Sequence, residues 1–300
     1  MPLTLNLYIL QFLDYCQYQK RYSKHTTIAY KTDLTSFATF LFLEFNEINI
    51  ELAKTTYIRS WLAGLKEAGV TSKSILRKLS CIRSFYNFLL KKEVIKINPA
   101  IIITAPKIPK RLPVFLEKNA TDALFADTVF TEGLVGLTEK LLLLLLYSTG
   151  IRRGEIINIK EHSIDFAIGT LKVLGKGNKE RILPLSQSLI DQIKFYIAEK
   201  RKAGFSNIDN FLFVNLKGKA LDPKQVYNIA KKYLSKVTTA VKNSPHVLRH
   251  SFATQLMNNG ADLNAVKELL GHSSLAATQI YTHNNIEKLK NAHKIAHPKA

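Results

Sequence analysis

The chain has 300 residues, 46% of them hydrophobic, with 43 Lys+Arg against 23 Asp+Glu and a formal net charge of +20. That length suits one large domain or two ordinary ones, and the cation excess favours a polyanionic partner, nucleic acid or an acidic membrane surface, over an inert basic surface. Residues 1–112 hold 17 Lys+Arg and 7 Asp+Glu, and residues 113–300 hold 26 and 16, which excludes a basic tail and fits a clamp on a polyanion.

The start, Met1-Pro2-Leu3-Thr4-Leu5-Asn6, lacks the basic region and cleavage site of a secretory leader. Residues 1–97 read as helices only. Leu5, Tyr8, Ile9, Phe12, Leu13 and Tyr15 give an amphipathic first helix, and Ser23-Lys24-His25-Thr26 offers a break and cap before a second with Ile28, Leu34, Phe37, Phe40 and Leu41 apolar. A third spans about Thr56 to Ala68 and ends at Gly69. Thr71 or Ser72 caps a fourth, in which Ile75, Leu79, Ile82, Phe85 and Phe88 follow the helical period. Four helices with short links predict a small bundle. Lys73, Arg77, Lys78 and Arg83 on the fourth helix read equally well as a stripe facing phosphates and as a solvated polar face. Cys16 and Cys81, the only cysteines, have neither zinc-ligand nor disulfide-framework spacing.

Pro99, Pro106, Pro109 and Pro113 interrupt regular structure, with Lys107, Lys110 and Arg111 between them. This predicts a helical domain over 1–105, a basic linker over 106–112 and a second domain over 113–300. Helices are expected near Leu116–Phe125 and Thr138–Tyr147. The run Leu141–Leu146 is far below the ~20 apolar residues of a membrane span and reads as a buried helix, so a soluble cytoplasmic protein is expected. Thr170–Leu174 and Arg181–Leu185, around Gly175-Lys176-Gly177-Asn178, predict a β-hairpin. A helix near Leu189–Arg201 follows, then a strand candidate at Phe211–Val214, then helices broken at Gly260, Gly271 and Asn284-Asn285. The fold class is mainly α with a small β-hairpin or sheet.

Five features bear on chemistry. Thr149-Gly150-Ile151-Arg152-Arg153-Gly154-Glu155 puts an arginine after a glycine turn at a helix start, a seat for phosphate, with Glu155 placed to hold an arginine. Lys176 lies between two glycines at the hairpin tip, where neighbouring cations would make it a better proton donor. His246 and Arg249, three apart, share a helix face while Val247 and Leu248 turn inward. His272 follows Gly271, and Tyr281 lies nine residues on. Each has an ordinary alternative: surface arginines, a turn lysine, a core tyrosine. Together they offer a phenol nucleophile, guanidinium forks and proton-moving imidazoles, a set for phosphate chemistry without a metal. No Gly-x-x-x-x-Gly-Lys-Ser/Thr phosphate loop is present, and no cofactor is expected.

Arg152, Lys176, His246-x-x-Arg249, Leu270-Gly271-His272 and Tyr281, in this order, resemble the tyrosine recombinase, or phage integrase, family. The resemblance covers nearly the whole chain and is strongest to the bacterial Xer recombinases, in Gly175–Arg181, Ser244–Thr254 and Leu270–His283. Gln255 departs from the His frequent there, outside the catalytic set. The resemblance implies that Tyr281 attacks a DNA phosphate to form a 3′-phosphotyrosyl bond. It implies that Arg152 and Arg249 hold the nonbridging oxygens, that Lys176 protonates the 5′-oxygen, that His246 takes the phenol proton and that His272 donates to the phosphate. Glu155 would support the arginines. It also implies double-stranded DNA as partner, a homo-tetramer or a hetero-tetramer with a second Xer recombinase, and chromosome dimer resolution, and it allows control by an FtsK-like translocase. Transposon or phage integration is the alternative within the family, and a non-cleaving architectural DNA-binding protein the alternative outside it. Ile286, Leu289 and Ile295 lie near one helical face after Tyr281, and the resemblance makes this a helix donated to a neighbour.

Overall fold

The computed structural model describes residues 6–107, 115–126, 129–175, 179–205, 210–238 and 243–271. The chain divides into two compact units, Met1–Arg111 and Leu112–Ala300, each with its own hydrophobic core.

The first unit contains four α-helices among its described residues: α1 (Leu7–Asp14), α2 (Lys24–Phe45), α3 (Thr55–Glu67) and α4 (Ser72–Lys91). One π-helical turn, Tyr15–Gln19, prolongs α1 and buries Cys16. Hydroxyls set the starts. Ser23 Oγ accepts from Thr26 N ahead of α2, and Thr71 Oγ1 accepts from Ser74 N ahead of α4, each satisfying an amide that a helix start leaves unpaired. The apolar period of α4 is the buried face: Ile75, Leu79, Ile82, Phe85 and Phe88 are all enclosed. Phe12 packs edge-on against Phe85 and tilted against Phe88, joining α1 to α4. Ile28, grouped by its sequence with the apolar face of α2, is instead half exposed. Cys16 and Cys81 are buried free thiols.

Of the α4 cations Lys73, Arg77, Lys78 and Arg83, the last three take a third course, neither a phosphate stripe nor a freely solvated face. Asp33 of α2 is fully buried, and Arg77 and Lys78 both pair with its carboxylate, Lys78 Nζ at 2.9 Å. Arg83 donates to the carbonyls of Ala100 (Nε, 3.1 Å) and Ile103, holding the chain that leaves the bundle. A buried carboxylate needs such partners, because an unpaired one would carry a large desolvation cost. Asn98 completes this exit by donating to Asn87 Oδ1 and accepting from Ala100 N.

In the second unit, α6 (Gly133–Thr149) is the axis. From Leu141 to Thr149 it is buried on every side, which explains six leucines in a row. It packs against α8 (Gln187–Lys202) and α10 (Pro245–Asn258). Around it stand α5 (Lys118–Leu124), the short α7 (Arg153–Ile156), α9 (Pro223–Val237) and α11 (Leu263–Leu270). The hairpin is formed by β2 (Thr170–Leu174) and β3 (Glu180–Pro184), antiparallel with Leu171 opposite Leu183. A two-residue strand β1 (Ile164–Asp165), which no alternation in the sequence announces, pairs with β2 to make a three-stranded sheet. Phe211–Val214 is not a strand. Phe211 and Val214 each make one isolated bridge, to Lys160 and Ala220, because they sit at two separate chain crossings. Among the described residues no helix is long and apolar enough to cross a membrane.

The sole tryptophan, Trp61, is buried in the first unit with Lys78 Nζ 5.5 Å from its ring centre, so its fluorescence reports that unit alone. Asp33→Asn removes the charge that Arg77 and Lys78 face. With Arg77 partly solvent-screened, the Trp61-detected urea transition should lose about 1–2 kcal/mol. An unchanged midpoint would mean that the ion pair contributes nothing to the bundle.

Candidate active site

The site grows from two glycines in the left-handed region. Gly150 (φ 60°) ends α6 and Gly271 (φ 62°) ends α11, a conformation that a side chain disfavours. At Gly150 there is also no room: a Cβ would lie 2.5 Å from Phe252 Cδ1 and 3.0 Å from Leu270 Cδ2. The ends of α6 and α11 and the flank of α10 therefore meet closely at one place.

The arginines gather there. Arg152, the residue before the first turn of α7, donates through Nη1 to Glu155 Oε1 (2.8 Å) and through Nη2 to Gly271 O (2.8 Å). Its main-chain amide also donates to Glu155 Oε2 at 2.9 Å. Arg249, on α10, is buried and donates to Gly150 O and, through Nη2, to Leu270 O at 2.6 Å. A third arginine, unforeseen from the sequence, completes the group. Arg181 of β3 forks onto Glu155, Nη1 to Oε1 at 3.0 Å and Nη2 to Oε2 at 2.7 Å, and its Nε donates to Leu269 O at 3.0 Å. A signal available was its place two residues before the apolar Leu183 on a short strand, which puts both side chains on one face.

Two guanidiniums, those of Arg152 and Arg181, thus bond the carboxylate of Glu155, and that of Arg249 lies within reach of its charge. The last three carbonyls of the α11 end, Leu269, Leu270 and Gly271, each accept from a different arginine. A helix C-terminus carries partial negative charge and unpaired carbonyls, so it solvates cations well without neutralising them. The charges show it. Burial would raise the Glu155 carboxyl, but Arg181 and then Arg152 reverse this and hold it at about 2. Burial, then the charges of Arg152 and Arg181, lower the Arg249 guanidinium, which stays a cation at neutral pH. Among the described residues the cluster carries positive charge in excess of its acid, Glu155, an arrangement able to seat an anion.

His246 lies one turn before Arg249 on α10 and is solvent-exposed, while Val247 and Leu248 pack into the core as their spacing predicts. Partial burial, then Arg153, Arg249, His250 and Arg152, lower its pKa below the ordinary 6.5. Its imidazole is therefore neutral at pH 7 and keeps a lone pair with which to accept a proton. Gln255 accepts from Tyr147 Oη at 2.6 Å and is a structural residue behind the site. Of the six predicted site residues, the structure brings together Arg152, His246 and Arg249. Lys176, His272 and Tyr281 lie outside the described residues, as does the segment after Asn284.

This bundle, sheet and arginine cluster place the molecule in a known class. A model of the N-terminal SAM-like domain of phage integrases matches residues 9–93, and one of the phage integrase family matches residues 115–288. The chain belongs to the phage integrase family, the tyrosine recombinases that cut and rejoin DNA. Its full-length relatives make it Xer-type. Tyrosine recombinase XerC of Oceanobacillus iheyensis is 40% identical over 301 residues, covering 99% of this chain and 97% of its own. Tyrosine recombinase XerD of Staphylococcus saprophyticus is 37% identical over 293 residues, covering 97% and 99%. Among solved structures, the XerH site-specific recombinase bound to palindromic difH substrate shares the fold at a TM-score of 0.70 and 24% identity, over 96% of this chain and 84% of that one. The Tn1549 transposon integrase in complex with transposon right end DNA does so at 0.71 and 16%, over 93% and 97%.

A positive neighbour disfavours the imidazolium, so Arg153→Gln should raise the His246 pKa from its lowered value toward 6.5. Imidazole proton shifts in an NMR titration measure it. A midpoint that stays put or falls would mean the Arg153 charge does not reach His246.

Proposed function

We propose that this protein cuts and rejoins double-stranded DNA at a specific recombination site through a 3′-phosphotyrosyl bond on Tyr281. The excess of guanidinium charge over carboxylate around Glu155 carries this reading. In it Arg152 and Arg249 exchange backbone carbonyls for the nonbridging oxygens of the scissile phosphate, whose charge grows in the transition state. A phosphate is a stronger acceptor than a carbonyl, and the fork suits it. His246, neutral at pH 7, takes the phenol proton of Tyr281. Lys176 gives a proton to the 5′-oxygen as it leaves, and His272 donates to a nonbridging oxygen. The phosphotyrosine keeps the energy of the broken phosphodiester, so the 5′-hydroxyl of another strand can attack it without ATP.

The physiological role proposed is chromosome dimer resolution in the cytoplasm. The protein would act as a tetramer with itself or with a second Xer recombinase, under an FtsK-like translocase. The end-to-end similarity to XerC and XerD relatives supports this over transposon or phage integration. In the same reading residues 1–105 bind the DNA core site, 106–112 link, and 113–300 carry out catalysis. Sequencing DNA covalently trapped on the protein in its own cells identifies the site.

Tyr281→Phe removes one oxygen and little volume. On a nicked suicide duplex it should bind DNA normally and form no covalent adduct, visible as loss of the shifted band on a denaturing gel. Persistent adducts would transfer the role to another tyrosine. Tyr227 is then the candidate, since Tyr233 is fully enclosed and donates to Glu139.

Deleting residues 285–300 should leave single-site binding intact and abolish higher-order synapsis in a native gel, as expected if this segment docks on a neighbouring protomer. Unaltered synapsis and recombination by the truncated chain would exclude an exchanged helix.

A further inference from the structure

Arg181 is only 4% exposed, and its guanidinium is turned wholly toward protein groups. Nη1 and Nη2 grip the two oxygens of Glu155, and Nε reaches the main chain of α11. A buried ion pair of this kind is a poor device for stability, because desolvation offsets most of the attraction. It is a good device for fixing geometry, because a bidentate fork allows one arrangement.

Three parts of the site converge on it. The first is Glu155, whose oxygens also hold the amide and Nη1 of Arg152. The second is the α11 end: a Cβ on Gly271 would lie 3.2 Å from Arg181 Cδ and 3.5 Å from Arg152 Nη1. The third is the base of the β2–β3 hairpin. There Gly175 N donates to Lys179 O at 2.8 Å, and a Cβ on Gly175 would lie 3.4 Å from Arg181 Nη1 and 3.5 Å from Glu155 Oε1. Gly175, the residue before Lys176 in the sequence, therefore lies against the Arg181–Glu155 pair.

We propose that Arg181 is a positioning residue for the cleavage step, pinning the base of the hairpin to Glu155 and the last turn of α11 so that Lys176 meets the phosphate held by Arg152. The proposal rests on the general-acid reading of Lys176. Arg181 itself touches no substrate. Without the fork, hairpin and arginine seat are no longer held in one register, and misplacement of a catalytic group by about 1 Å can cost 10²-fold in rate. The loss falls on proton delivery, not on DNA binding. Lysine does not substitute, since one ammonium cannot hold both carboxylate oxygens and the Leu269 carbonyl.

The test uses the full chain with Arg181→Gln, Arg181→Lys, Lys176→Ala and the Arg181→Gln/Lys176→Ala double variant. Single-turnover adduct formation is measured on a nicked duplex carrying the trapped site, with either oxygen or sulfur at the 5′-bridging position. Sulfur leaves without a proton, so it removes the need for a general acid. Arg181→Gln should slow cleavage about 10²-fold on the oxygen substrate, within the range that general acids supply. On sulfur, in DNA affinity, and when added to Lys176→Ala it should change values by no more than about two-fold, the scatter of independent effects. Arg181→Lys should show the same oxygen-selective loss. Equal losses on oxygen and sulfur, or a full further loss in the Lys176→Ala background, would overturn the proposal while leaving Lys176 as the acid. If Lys176→Ala were itself equally slow on both substrates, the reading of Lys176 and this proposal would fall together. Should the Arg181 variants fail to fold, Gly175→Ala crowds the same junction at 3.3–3.5 Å without removing a charge and should give the same selectivity; a uniform or absent effect there would overturn the proposal.

Discussion

The last turn of α11 offers three successive carbonyls, and three arginines from three other parts of the second unit each take one. Everything at the site depends on this. Three guanidiniums within one cluster repel, and Arg181 and Arg249 are buried besides. Carboxylates would neutralise them and leave nothing for a phosphate. Helix carbonyls solvate them while preserving their charge, and the carboxylate of Glu155 is shared between Arg152 and Arg181. The arrangement keeps a cationic seat ordered before any anion arrives, which is what preorganised electrostatic catalysis requires.

Packing makes that convergence possible. The left-handed turn at Gly150 stops α6 where Phe252 and Leu270 close over it, so the carbonyl of Gly150 is free to accept from Arg249. The core behind is apolar and dense around α6, with Tyr147 and Gln255 closing its polar edge. The first unit solves a similar problem differently. There Asp33 is the buried group and Arg77 and Lys78 come to it, so cations that look available for an external polyanion are partly committed within the bundle.

Much of this was legible in the sequence because it is local. Caps at Ser23 and Thr71, glycine stops at Gly69, Gly150 and Gly271, the apolar period of α4 and the hairpin about Gly175 are all properties of neighbouring residues. The pairing of Arg152 with Glu155 is also local, being three residues long. The inward turn of Val247 and Leu248 beside an exposed His246 follows from helical spacing alone.

What the sequence could not decide is where long side chains end. Arg181 reaches Glu155 across 26 residues and Leu269 across 88, and Arg83 reaches Ala100 and Ile103 beyond the helix that carries it. The brief strand β1 exists only because β2 lies beside it, and Phe211 and Val214 fail to form a strand for want of a continuous neighbour. By itself the sequence determined the helical framework, the basic charge and the residue types able to act on a phosphate, since these rest on period, composition and adjacency. Only the tertiary structure decided which cations are spent inside the protein and which converge around Glu155, because a guanidinium finds its partners through space and not along the chain.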